Sequence, residues 1–344
     1  ITTDPWFNDL VGFSETELRE MLTYYKEQGA LPMSVDDAVT MMKPNYDNYC
    51  FSENKLADCM FNSDMVLYCM KSLILHGVKP KEIVNPNIRT DFNKLAYLVR
   101  LDHGLGENFS VIKEIAEQGE IVTEIVTHFS ALEMTDVGNF KSLLFYFGLL
   151  SIKGVDMMGR PILHIPNLVV REQLFNFLIQ GYARHDIFKL DVNRLRTLFE
   201  NMSFKGDWKP MFEFLAEAIR EQSRIREYIE GEAHIKGFLL AYLSMFRYYQ
   251  LYPEYEMNKG FADFFFKPSP AAPVSPPYTY LLEVKYAKAG ASEKEIRALA
   301  DDAREQLIRY SKDECVAEAR EKGGLKLTTI VWRSWELALM EEVE

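Results

Sequence analysis

The chain has no apolar run long enough to cross a bilayer and no basic segment leading into a short apolar one. A cytoplasmic location is therefore expected, with no membrane partner. Cysteine is scarce. Cys50, Cys59, Cys69 and Cys315 lack C-x-x-C spacing, so four free thiols are expected in place of a zinc site or a disulfide framework. No G-x-x-x-x-G-K-[ST] loop is present to cradle a triphosphate, and no ATP hydrolysis is expected of this chain. Positive charge is also in deficit: the formal net charge is −12, and residues 206–344 hold 19 basic against 24 acidic side chains. Affinity for nucleic acid comes mainly from cations that neutralise phosphates, so any such contact here must come from local patches, a bound metal or a partner.

What is present is ample apolar material, 48% of 344 residues, enough for two or three domains. Phe13-Ser14-x-x-Glu17-Leu18 combines a capping box with a hydrophobic staple and predicts a helix to about Gly29. Helical periodicity recurs at about 62–76, closed by Gly77, and at about 90–101, 109–118, 138–149, 168–182 and 190–203. The apolar stretch NFKSLLFYFGLL, followed by a Gly/Met turn between two short β-patterns near 150–165, resembles the end of a winged-helix unit. Its helix offers only Lys141 to a phosphate, so packing is the better reading.

The texture changes at Gly206-Asp207. Residues 1–205 read as a mostly helical module and 206–344 as an α/β domain of order αβββαβ, giving an α+β chain. A helical stretch at about 209–228 leads to the helix AHIKGFLLAYLSMF. The β-patterns YPEYEM and GFADFFF follow, and then a loop with five prolines. YTYLLEVKY reads as a buried strand, Ser292-x-x-Glu295 caps a further helix, and KLTTIVWR reads as the last strand.

Asp263 closes one of these β-patterns and Glu283-Val284-Lys285 lies inside the next. Side chains alternate along a strand, so Glu283 and Lys285 share a face, and a hairpin-like pairing would set Asp263 opposite Glu283. Two carboxylates so placed make a hard oxygen site suited to Mg²⁺ or Mn²⁺. Glu-x-Lys alone is commonly a solvated surface pair. Here Leu281, Leu282 and Tyr286 flank it, and a strand this apolar rarely buries a Glu and a Lys without a purpose.

These residues resemble the PD-(D/E)XK nuclease superfamily, and in particular bacterial proteins that join an AAA-ATPase-like region to such a domain. Glu232 matches the family's helix glutamate, with Gly237 to Leu240 after it. Glu256, Gly260 and Asp263 match the acidic strand and the ends of G-R-x-D. Glu283 and Lys285 supply E-x-K, and Gln306 and Tyr310 match the later helix. Phe261 stands where the family usually has Arg, and Lys236 where His is common. In residues 1–205, YDNYCFS and Met60-Phe61-Asn62-Ser63 are similar to segments of the AAA-ATPase-like region. The chain opens on Ile1, and an upstream part bearing the phosphate-binding loop is expected.

The resemblance implies a Mg²⁺- or Mn²⁺-dependent hydrolase of nucleic acid, with DNA favoured. Asp263, Glu283 and the Val284 carbonyl would hold the metal. Lys285 would orient water or stabilise charge on the phosphate, Glu232 would bind a second metal or its water shell, and Gln306 would steady the lysine or the attacking water. Lys259, Lys267 and Lys288 are the candidate phosphate contacts. His234 reads as a partly exposed histidine near a helix start, and Tyr252, Tyr255 and Phe264 to Phe266 as core in place of a base-stacking platform. Two other readings remain. One is a non-catalytic scaffold on a nuclease fold, binding a partner through the helical module. The other is the effector part of an ATP-regulated nuclease whose motor lies upstream.

Overall fold

A computed structural model of the chain describes residues 3–10, 12–80, 84, 107–128, 133, 136–226, 229, 231–272 and 274–343. The helix expected at about 90–101 lies outside them. The chain divides into two compact units, Ile1–Leu178 and Ile179–Glu344.

In the first unit, α1 (Glu15–Glu27) opens on the Ser14/Glu17 capping box, with both reciprocal hydrogen bonds made. Helix α2 (Val35–Tyr46) is capped by Ser34 and carries Pro44 within it. The pattern of the sequence does not reveal it, because a proline inside a periodic stretch argues against a helix. Helix α3 (Ser63–His76) starts on the Asn62 side chain and stops at Gly77, whose φ of 67° gives the left-handed cap that glycine adopts without strain. The segments YDNYCFS and Met60-Phe61-Asn62-Ser63 are stitched together here. Tyr49 and Met60 exchange backbone hydrogen bonds of 3.1 and 2.8 Å, and the Asn62 N–H donates to the Tyr46 carbonyl.

After α4 (Glu107–Gln118) come β1 (Glu120–Val122), α5 (Val137–Tyr146), β2 (Ser151–Val155) and β3 (Pro161–His164). The expected two-strand wing is a three-stranded antiparallel sheet of order β1-β3-β2. Helix α5 buries Phe140, Leu143, Leu144 and Phe145, so it packs and presents no basic face.

Helix α6 (Leu168–Arg184) contains the point where the two units divide, well before Gly206. The reason is packing. Helix α7 (Val192–Lys205) accepts from the Tyr280 hydroxyl at its Met202 carbonyl at 2.7 Å and packs Phe199 against Phe246, Tyr248 and Tyr249, so it belongs with the sheet of the second unit. Helix α8 (Lys209–Glu221) follows Trp208, whose indole N–H donates to Glu342. The expected helix at about 209–228 is broken at Gln222, whose amide side chain caps onto the backbone of Lys189.

The second unit is built on a five-stranded mixed sheet of order β4-β5-β6-β7-β8, with strands β4 (Tyr249–Met257), β5 (Gly260–Pro268), β6 (Thr279–Ala287), β7 (Leu325–Arg333) and β8 (Glu336–Val343). Only β6 and β7 run parallel, and α10 (Glu293–Tyr310) makes their crossover. Helix α9 (Glu232–Leu243) precedes the sheet. The observed order is thus αβββαββ. The added strand, β8, is an edge strand carrying Glu336, Glu341 and Glu342, a charge pattern that blunts an exposed edge and also hides the strand from a hydrophobic reading. With this sheet the chain has the α+β class expected, its second unit consistent with a restriction-endonuclease-like domain.

One face of β6 packs on α10. Leu281 joins Leu307 and Tyr310 in one apolar cluster, and Ala287 joins Ile296, Ala300 and Val331 in another. Strand alternation therefore sets Glu283 and Lys285 between two apolar clusters on that face. Gly260 admits the neighbouring aromatic: a Cβ there would lie 2.5 Å from the Tyr310 hydroxyl. Gly260→Ala is expected to destabilise the unit by about 1–3 kcal/mol, the usual cost of overpacking. Urea unfolding of the variant beside Gly260→Ala/Tyr310→Phe checks this, because removing the crowded hydroxyl should recover part of the loss.

Candidate active site

The site forms where two strands part. β5 pairs with β6 only through Phe264↔Leu282, Phe265↔Leu281 and Phe266↔Tyr280, and then leaves it. The β4–β5 hairpin keeps one register from Tyr249↔Pro268 to Met257↔Gly260, interrupted only opposite Glu254 and Asp263, where Glu254 takes φ 45°. Tyr252 and Tyr255 are three positions apart, yet both pack against the cluster holding Ala262 and Phe265. The two-residue alternation therefore slips by one at this point, and Asp263 lies in the kink.

Backbone donors freed by the fork are taken up by the two carboxylates, each reaching to the other's strand. The Asp263 N–H donates to Glu283 Oε1 at 3.2 Å, and the Val284 N–H donates to Asp263 Oδ2 at 2.8 Å. The remaining oxygens meet lysines. Lys236 Nζ on α9 lies 2.5 Å from Asp263 Oδ1, and Lys285 Nζ lies 3.3 Å from Glu283 Oε2. The Lys285 ammonium also donates to Gln306 Oε1 on α10 at 2.7 Å, and the Gln306 amide donates in turn to Asp302 at 3.1 Å. A buried charge persists only when paired and hydrogen-bonded, and each of these has its partner.

The carboxylates are buried, Asp263 at 5% and Glu283 at 1% exposure. Burial, followed by the negative charge of Asp263, pushes the Glu283 carboxyl up to about 8, with Lys285 opposing. Burial likewise lifts Asp263, opposed by the Lys236 ammonium. Burial alone would lower both lysines, but their carboxylate partners more than offset it and both are raised. Thr329, the register partner of Glu283 across β6–β7, buries a hydroxyl with no hydrogen-bond partner among the described residues. Two crowded carboxylates and a spare hydroxyl suit a hard, strongly hydrated divalent cation, which needs only one or two protein carboxylates and completes its shell with water and phosphate oxygens. Among the described residues no group of three or more His, Cys, Asp or Glu is arranged to hold a metal.

The structure thus gathers Asp263, Glu283, Lys285 and Gln306, and links Glu232 to them through Lys236 at 2.8 Å. Val284 enters through its N–H. Lys259 sits in the β4–β5 turn, Lys267 is exposed on β5 four residues beyond Asp263, and Lys288 lies just past β6. Among the described residues none of these three bonds to Asp263, Glu283 or Lys285. Sequence reasoning passed over Lys236, Glu254 and Asp302 as members of the site. Lys236 lies one helical turn from Glu232 and Asp302 one turn from Gln306, which is the available signal; Glu254 faces Asp263 only through the hairpin register.

Residues 230–342 match the family model of the PD-(D/E)XK nuclease superfamily. This stretch is similar to PD-(D/E)XK nuclease superfamily domains. It runs from just before α9 into β8 and includes every residue of the fork and of the Lys285–Gln306–Asp302 chain. The superfamily generally comprises nucleases, hydrolases that act on nucleic acid and typically use divalent metal ions. No curated protein matches the chain. Among the described residues no helix is long and apolar enough to cross a membrane.

Proposed function

We propose that the second unit hydrolyses phosphodiester bonds of nucleic acid, DNA in the first place, with Mg²⁺ or Mn²⁺. The observation that carries this reading is the meeting of Asp263, Glu283 and Lys285 at the β5–β6 fork of a PD-(D/E)XK domain. Asp263 and Glu283, with the Val284 carbonyl as a third oxygen, would hold the cation. Bound there, such a cation polarises the phosphate and lowers the pKa of a coordinated water. Lys285 supplies positive charge where negative charge builds on the phosphate, and Gln306 and Asp302 fix its direction. Glu232 would serve the water shell. Exposed Lys259, Lys267 and Lys288 would steady the flanking phosphates, so binding is expected to be weak and to fall with added salt.

A calorimetric Mn²⁺ titration tests the metal site. Wild type is expected to bind Mn²⁺ and Asp263→Asn to lose that binding; equal binding by both would remove Asp263 from the site. The scaffold reading is favoured by the acidic charge and by Phe261, 54% exposed where an arginine is usual. On that reading wild type and Asp263→Asn alike would bind no Mn²⁺. For the first unit, the AAA-ATPase-like resemblance rests on two short segments, and a role in regulating the nuclease is the proposal that follows from it.

A further inference from the structure

We propose that Lys236 occupies the cation position on Asp263 in the metal-free protein, so that metal binding is an exchange of one cation for another. The proposal rests on the metal-site reading above and concerns a residue to which that reading gives no role. Asp263 has two oxygens, and Oδ2 is committed to the Val284 N–H. Oδ1 is the oxygen left for a cation, and the Lys236 ammonium already lies 2.5 Å from it. Its other contacts are Glu232 at 2.8 Å and Glu254 at 3.1 Å, so the three N–H donors of one ammonium meet three carboxylates.

The placement is enforced from both sides. On helix α9 the neighbours Ile235, Gly237, Phe238 and Leu239 are buried, and the Lys236 side chain is only 18% exposed. Its charge is met by Asp263 at the fork and by Glu232 and Glu254 at the rim. Asp263 is in turn too buried to stand beside Glu283 without a positive neighbour. Glu232 and Glu254 are 43% and 60% exposed, so they can keep the ammonium at the rim once Oδ1 is taken, and release from Asp263 does not strand a buried lysine. The β4–β5 kink at Glu254 is what turns this second acid toward the same ammonium.

Mn²⁺ calorimetry on the full chain tests the exchange, with Lys236→Met, Lys236→Arg and Asp263→Asn beside wild type and melting curves recorded in EDTA and in Mn²⁺. Lys236→Met is expected to bind Mn²⁺ at least about tenfold more tightly than wild type, because no cation has to leave. It should melt below wild type in EDTA, with the gap closing in Mn²⁺, whereas a merely structural lysine would leave the same gap in both. Lys236→Arg, whose fork can hold a carboxylate with two bonds, is expected to bind Mn²⁺ more weakly than wild type, and it carries the test if Lys236→Met does not fold. Unchanged or weaker Mn²⁺ binding by Lys236→Met, or unchanged or tighter binding by Lys236→Arg, overturns the exchange while leaving the metal site standing. Absence of Asp263-dependent Mn²⁺ binding in wild type and Lys236→Met alike overturns the metal site itself, and the exchange with it.

Discussion

Lys285→Ala is expected to lower Mn²⁺-supported cleavage by about 10²–10³-fold or more while leaving nucleic-acid binding nearly intact, the range seen when one preorganised electrostatic contact is removed from a transition state. The ammonium is held between Glu283 at 3.3 Å and Gln306 at 2.7 Å, with its stem between two apolar clusters, so it does not have to be ordered when charge develops on the phosphate. A group that acts mainly on the transition state affects turnover and not affinity. Single-turnover rates and filter binding on one substrate separate the two. A Lys285→Ala variant that binds tenfold more weakly yet cuts at the wild-type rate would make Lys285 an ordinary phosphate contact. Gln306→Leu is expected to show a smaller loss in the same direction, because it removes the contact that aims the ammonium and keeps the ammonium itself.

In the absence of metal, the second unit is expected to lose stability as pH rises from about 5 to about 8. Glu283 has its carboxyl pushed up to about 8 by burial and by Asp263, while in the unfolded chain it titrates near the ordinary carboxylate value. The folded state therefore binds more protons than the unfolded state in that window, and the slope of stability against pH is negative. Glu283→Gln, which keeps the shape and removes the charge, should be flat over the same range and more stable than wild type at pH 8 in EDTA. Addition of Mn²⁺ should reverse that ranking at pH 8. Urea denaturation at pH 5, 6.5 and 8 measures this, and a wild-type curve in EDTA that is flat or rises with pH would show that Glu283 titrates normally in the fold.

Much of the chain's local structure is written in neighbouring residues. The Ser14/Glu17 and Ser292/Glu295 capping boxes, the Gly77 stop and the alternation that pairs Glu283 with Lys285 all follow from neighbours a few residues apart. What escaped the sequence depends on distant partners. β8 is recognisable as a strand only when β7 lies beside it, because its glutamates, Glu336, Glu341 and Glu342, break the apolar pattern. α7 joins the second unit through Met202 and Phe199, contacts that no composition change at Gly206 could announce. At the site itself, alternation predicts an unbroken hairpin, whereas the fold spends it at the Glu254–Asp263 kink and replaces lost ladder bonds with carboxylates. Lys236 was visible as an unusual residue, but its meaning required the third dimension.

The most direct test of the central claim is turnover of single-stranded DNA, double-stranded DNA and RNA by the full chain in Mn²⁺ and Mg²⁺, with EDTA and Asp263→Ala as controls. The account predicts cleavage of at least one substrate that stops in EDTA and in Asp263→Ala. Cleavage that persists in Asp263→Ala, or wild type that cuts none of the three while staying folded, would contradict it.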